Sequence, residues 1–452
     1  MMKKKTAVVQ IEPALFVDSI KIPAVLIGGS FKYLGKLYDF EMKNKTAKVS
    51  TQEKLETLLS ITSKLKIKAQ TKLKILKLYI HSQLQFELKQ YNFGATWIDA
   101  NLDALCTRHI RIWLDMPIST CIKEMMTLPK QLGGLNIPTL KITAEKLWLH
   151  KRYSLKSSAH SVMNQIWADT SSKHVPLDEL LQSEVNFPSV ERSLKNRQIG
   201  KDKNHFYSLD VQGTSAKIVS ETISKKNINS WNNTMDNLPE SIFKFARKAL
   251  QQQLPTAANL ARWKRIFNPN CGLCNSGRPQ TNKHVLSNCA APIALERYTS
   301  RHDGVLRVFA DWILQSKSGD QTLFVDINAD HFTPVSELFH QTSRPDIALA
   351  WDSTVAVLEL TVCHETNLEK SKLYKMNKYT QLKKELKDDF KNNSLQLFTW
   401  EVSTLGFVSD LTEFTKAANL PRVSLDLYSE LTRKALFASQ EIYCLRNTAS
   451  KS

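Results

Sequence analysis

Asp346 and Glu359 stand thirteen residues apart near the C-terminus, with Lys375, Lys378 and Tyr379 close behind. Pro345 introduces Asp346 at the start of an apolar run, Ile347-Ala348-Leu349-Ala350, and Trp351-Asp352-Ser353-Thr354 reads as a turn. Glu359 then falls within a second apolar run, between Val357, Leu358 and Leu360. A carboxylate inside an apolar strand is costly unless it is paired or bound to metal. Pairing with Arg344 or a helix lysine is the plainer account. The sharper one is that Asp346 and Glu359 meet across a hairpin and hold a magnesium ion. Such an ion activates water and stabilises charge on a phosphodiester. A lysine beside the pair orients the water or stabilises the pentacoordinate phosphorus. The usual place for that lysine, two residues after the second acid, is taken by Thr361. A lysine-rich helix expected over roughly 367–390 offers Lys370, Lys372, Lys375 and Lys378 instead. Lys375 and Lys378, three residues apart, share one helix face.

A second constellation lies about eighty residues upstream: Cys271-x2-Cys274-x9-His284-x4-Cys289. Three thiolates and an imidazole at these gaps can close around one tetrahedral Zn2+. Gly272, Gly277 and Pro279 supply the turning chain. Three of the seven cysteines fall within these nineteen positions, which argues against scattered core residues. Arg262, Lys264, Arg265, Arg278 and Lys283 surround the cluster, as a surface gripping nucleic acid would require.

These sites need a scaffold, and 452 residues allow two to four domains. The formal charge of +19 costs self-repulsion unless a polyanion neutralises it, so nucleic acid is the leading partner class and an anionic membrane surface the weaker one. No run of about 20 apolar residues predicts a spanning helix. The start Met1-Met2-Lys3-Lys4-Lys5 lacks the long apolar core of a secretory signal. Reduced thiols plus one metal site fit a nuclear or cytosolic setting. Residues 1–45 read as short strands and a hairpin, and 46–155 as helices. In the latter, Leu58, Leu65, Ala69, Leu73, Leu76 and Ile80 form an apolar face. Lys64, Lys68 and Lys72 form a basic stripe, either a solvated face or a contact to a nucleic-acid backbone. Residues 156–237, rich in Ser, Asn and Lys, read as a loosely structured linker with helical pieces. Residues 238–302 read as helical with the cysteine cluster. Residues 303–452 read as an amphipathic helix over 303–320, three strands, the lysine-rich helix and a last strand. The fold class expected is multidomain α and α/β.

The combination resembles the C-terminal part of the polyprotein of non-LTR retrotransposons that carry a restriction-like endonuclease. In that family a reverse transcriptase precedes a Cys-Cys-His-Cys knuckle and a PD-(D/E)xK nuclease. The matching residues are the cysteine cluster, Arg297-Tyr298-Thr299-x-Arg301-His302-Asp303, Arg344-Pro345-Asp346, Glu359-Leu360-Thr361-Val362 and Lys375-x-x-Lys378-Tyr379. The resemblance implies that Asp346 and Glu359 are catalytic, with Lys375 or Lys378 as the displaced basic partner. Lys4-Lys5-Thr6 and Phe31-Lys32-Tyr33-Leu34-Gly35 resemble late palm motifs of reverse transcriptases. The helices after them would be the thumb, where Leu132-Gly133-Gly134-Leu135 is common. The polymerase aspartates lie upstream of those palm motifs and are missing here, so no DNA synthesis is expected, and the chain looks like the tail of a longer element. The resemblance implies a nuclear protein that binds target DNA and element RNA, with no membrane or small-molecule substrate. One reading is an active, Mg2+-dependent endonuclease that nicks a target before reverse transcription. The other is an inactive relic that only binds nucleic acid.

Overall fold

The computed structural model describes residues 15–22, 29–33, 35–39, 43–171, 181, 186–340 and 344–448. The apolar runs at 6–9 and 24–27, with the palm-like Lys4-Lys5-Thr6, lie outside them. The chain divides into two compact units. The first comprises Met1–Leu65, Lys74–His109 and Pro138–Leu194; the second comprises Lys66–Leu73, Ile110–Ile137 and Lys195–Ser452.

In the first unit, β1 (Leu15–Val17) pairs with β2 (Ile20–Ile22), and β3 (Ser30–Tyr33) with β4 (Lys36–Asp39), both antiparallel. The second hairpin is the one expected around Phe31–Gly35, and Gly35 at its turn has a φ of 80°. The helix Lys45–Lys64 buries Thr51, Leu55, Leu59 and Thr62. Of the apolar face read from sequence, Ala69, Leu73, Leu76 and Ile80 are buried, but Leu58 is only half-buried and Leu65 is exposed. The helix stops at Lys64 because Leu65 turns to extended backbone, and the next begins at Ala69. Lys64, Lys68 and Lys72 consequently do not form one helical stripe. The buried Asp103 carboxylate accepts the Leu140 and Lys141 N–H groups at 2.7 and 3.1 Å, satisfying the open donors at the start of the helix Leu140–Lys156.

The second unit is built on a five-stranded mixed sheet. Its order is β6 (Thr333–Pro334), β5 (Thr322–Val325), β7 (Ile347–Trp351), β8 (Thr354–Cys363), β9 (Ser394–Ser403). β5–β7 and β7–β8 are antiparallel, while β8–β9 is parallel. Side chains alternate between faces. Ile347, Leu349, Ala356, Leu358 and Leu360 pack on one face with Val305, Leu306 and Phe309 of the helix Pro292–Ser316. Ala348, Ala350, Val355 and Val357 pack on the other with Tyr379, Leu382 and Phe339. Both faces are covered, which is why β8 is almost continuously apolar. The expected lysine-rich helix is shorter than read: it spans Leu368–Lys378 and gives way to 3-10 turns at Leu382–Glu385 and Asp388–Phe390.

Part of the stretch read as a linker is regular helix: Thr214–Thr222 and Lys225–Asn237 bury Val219, Ile228, Trp231 and Met235. Their apolar residues are few but fall on one side, so a polar composition hid a packed segment. Trp231 stacks on Phe407 at 4.3 Å between ring centres and donates its indole N–H to Leu405 O. At Leu132-Gly133-Gly134-Leu135, Gly133 has a φ of 84°, and a Cβ on Gly134 would lie 1.9 Å from Leu128 O. Only glycine fits that crossing.

Candidate active site and metal cluster

The β7–β8 register pairs Ile347 with Leu358 and so sets Asp346 opposite Glu359 at the start of the hairpin. Strand parity puts both carboxylates on the face of Val355 and Val357. Asp346 is 8% exposed and Glu359 1%. Each carboxylate has one oxygen held by backbone. Asp346 N–H donates to Glu359 Oε2 at 3.1 Å, and Leu360 N–H donates to Asp346 Oδ2 at 2.7 Å. The other oxygen of each faces a cation. Lys375 Nζ is paired with Glu359 Oε1, and His302 Nε2 lies 3.4 Å from Asp346 Oδ1.

The electrostatics follow from burial and from two negative groups set side by side. Burial and the Asp346 charge push the Glu359 carboxyl up to about 7, against the pull of Lys375. Burial works to lower the His302 imidazole, but hydrogen bonds and charges from Asp303 and Asp346 outweigh it and raise it to about 10. His302 is thus an imidazolium at neutral pH. Burial, Glu359 and Asp346 together push the Tyr379 phenol up. That hydroxyl donates to Arg344 O at 3.2 Å.

The two candidate lysines separate here. Lys375 touches Glu359, whereas Lys378 donates to the Tyr379 hydroxyl at 3.0 Å and lies 4.6 Å from its ring centre. Arg344 does not pair with Glu359; its guanidinium binds Asp326, with Nε 3.1 Å from Oδ1. The sequence gives His302 no role of its own. The amphipathic helix expected over 303–320 begins instead at Pro292, which places His302 one turn before Val305 and Leu306 on the sheet-facing side. Two carboxylates are the donor type that hard divalent ions take, but here each is already paired with an internal cation, Lys375 or His302.

The cysteine cluster is built by two turns. Cys271 N–H donates to Arg278 O at 2.9 Å, closing the chain around Cys274. A single π-helical turn, His284–Asn288, carries His284 and leads into Cys289. One donor atom from each of Cys271, Cys274, His284 and Cys289 falls within 4.8 Å of the others. Cys271 and Cys289 Sγ are 4.0 Å apart, and Cys274 Sγ is 3.4 Å from His284 Nε2. Tetrahedral zinc spaces its ligands by about 3.8 Å for S–S and about 3.6 Å for S–N. The residues fit the ion. Burial raises the Cys274 thiol, but hydrogen bonds from Ser276 outweigh it and bring it down to about 7; burial pushes Cys289 up to about 12.

The helix Pro292–Ser316 carries residues that serve both sites. The Tyr298 hydroxyl donates to Val285 O at 2.7 Å and accepts from Cys289 N–H at 3.2 Å. The buried Arg301 guanidinium donates to Leu286 O at 2.8 Å and Ser439 Oγ at 3.1 Å. One residue on, His302 meets Asp346. Arg262, Lys264 and Arg265 are exposed, as is Arg278, and the same loop presents Phe267 fully to solvent. Phe267 escaped notice in the sequence because nothing in its spacing marks an aromatic as outward. Lys283 is half-buried and donates to Asn367 Oδ1 at 2.8 Å. Among the described residues no helix is long and apolar enough to cross a membrane.

No curated protein matches the chain. Residues 215–294 match the family described as zinc-binding in reverse transcriptase. The match begins at Ser215, within the stretch read as linker, and ends after Cys289, so it takes in the packed helices as well as all four metal donors. This segment supports zinc as the metal of the cluster and a retrotransposon-related origin for the chain.

Proposed function

We propose that the protein binds nucleic acid and cuts DNA by metal-assisted hydrolysis at Asp346 and Glu359. The observation that carries this reading is the pair itself. Two buried carboxylates sit face to face at a hairpin start, each with one oxygen held by backbone and the other paired with a cation. A bound Mg2+ would supply Lewis acidity and a water of lowered pKa. Asp346 and Glu359 would hold the ion. Lys375, which touches Glu359, would supply a positive charge beside the site to stabilise the pentacoordinate phosphorus. His302, charged at neutral pH, would fix the orientation of Asp346. Thr361 has no ionisable group, so Lys375 on the neighbouring helix takes the place of the lysine that position would otherwise supply.

The zinc cluster is the grip rather than the blade. Its four ligands saturate a tetrahedral ion and leave no position for substrate. Arg262, Lys264, Arg265 and Arg278 give the phosphate contacts, and the exposed Phe267 gives a stacking surface for an unpaired base. Lys64, Lys68, Lys72 and Arg344 remain candidates for further backbone contacts, acting singly. In a retroelement these parts would serve nicking of a chromosomal target in the nucleus, with the element RNA held nearby. The experiment is incubation of the purified full chain with supercoiled plasmid and Mg2+. Open-circular product that EDTA abolishes is expected. Retention of DNA on a gel without any nicking would leave only the nucleic-acid-binding reading.

A further inference from the structure

Away from both sites, Cys121, Glu124 and His205 bring a thiol, a carboxylate and an imidazole together. Cys121 immediately precedes the short helix Ile122–Thr127, Glu124 lies in that helix, and His205 lies in the last turn of the helix Phe187–Tyr207. Cys121 Sγ is 2.6 Å from Glu124 Oε2, and His205 Nδ1 is 2.8 Å from Glu124 Oε1. All three donor atoms fall within 4.8 Å of one another.

Contacts that use none of these donor atoms hold them there. The Cys121 N–H donates to Gln212 Oε1 at 2.8 Å, and Gln212 Nε2 donates to Ser119 O at 2.9 Å, so the loop before the helix is anchored at two points. Thr127 Oγ1 donates to Asp202 at 2.6 Å and ties the two helices together, while Gln198 Nε2, one turn earlier on the same helix as Asp202, donates to its other oxygen at 2.7 Å. Tetrahedral coordination needs donor spacings of roughly 3.3–3.6 Å, which small side-chain rotations on this fixed frame would give.

We infer that Cys121, Glu124 and His205 form a second metal site, selective for a borderline transition ion such as Zn2+ or Co2+. Sulfur and imidazole nitrogen disfavour Mg2+ and Ca2+, which take oxygen donors. Three protein ligands leave a fourth position for water or an outside ligand, and the His205 side chain, 57% exposed, puts that position at the surface. Bound metal would staple the start of one helix to the end of another, where a hydrogen-bonded chain through Glu124 does so now.

The test is metal content of the full chain after equilibrium dialysis against buffered Zn2+, with the cysteines reduced. The wild type should hold two equivalents per chain, His205→Ala one, and Cys274→Ala one. His205 is exposed, so its replacement leaves the fold standing, and circular dichroism checks this. Co2+ adds an independent reading: thiolate charge-transfer absorption should fall in Cys121→Ser by about a quarter, one thiolate of four. One equivalent in the wild type, or two equivalents retained in His205→Ala, would overturn the assignment.

Discussion

Glu359→Gln isolates the electrostatics of the proposed metal pair. The carboxyl is 1% exposed and is raised from 4.5 to about 7 by burial and Asp346. A rise of that size corresponds to on the order of 3 kcal/mol. The folded state binds this proton more tightly than the unfolded chain does. Its contribution is therefore fully present below pH 4.5 and is lost as pH rises through 7. Glutamine keeps the volume and can still accept the Asp346 N–H, but it does not titrate. Urea unfolding of metal-free wild type and variant from pH 4 to 8 should show the wild type losing about 3 kcal/mol relative to Glu359→Gln, most of it between pH 4.5 and 7. Mg2+ at pH 8 should then restore wild-type stability, by about 1.4 kcal/mol at tenfold over its dissociation constant, and leave the variant unchanged. Parallel pH profiles for the two proteins, or equal stabilisation of both by Mg2+, would show that Glu359 neither carries this proton nor binds the ion.

Three further outcomes are expected. Lys375→Ala should lower Mg2+-dependent nicking by about 100-fold or more, while Lys378→Ala, whose ammonium serves Tyr379, should stay within several-fold; single-turnover nicking rates decide this. His302, raised from 6.5 to about 10, stabilises the fold below pH 6.5 and loses that contribution as pH rises through 10, so His302→Asn should flatten the alkaline loss of stability, and the imidazole should titrate near 10 by NMR. Removal of zinc by a chelator should raise amide exchange across 271–301 first, because Tyr298 and Arg301 are anchored to the 284–289 turn; hydrogen exchange with mass spectrometry reads it.

The sequence made the ends of the account legible and left the middle obscure. Asp346 and Glu359 were readable because a charge within an apolar run has few explanations, and hairpin pairing then follows from their spacing. The cysteine gaps were readable because short-range turn geometry sets them. The choice between Lys375 and Lys378 was not, since both share a helix face and only tertiary packing says which one meets Glu359. The lysine stripe failed because Leu65 breaks the helix with no Pro or Gly to announce it. His302 was missed because its helix begins at Pro292, about three turns before the expected start at 303, and so already carries it. The helices Thr214–Thr222 and Lys225–Asn237 were missed as packed elements because single large side chains, above all Trp231, do the work that a hydrophobic run usually signals.

Anomalous diffraction from crystals of the chain soaked in Mn2+ would show whether Asp346 and Glu359 hold a divalent metal. A peak between the two carboxylates is expected, roughly 2.1 Å from an oxygen of each, with Lys375 displaced from Glu359. A map with no peak there, and Lys375 still paired with Glu359 at saturating Mn2+, would contradict metal binding by the pair.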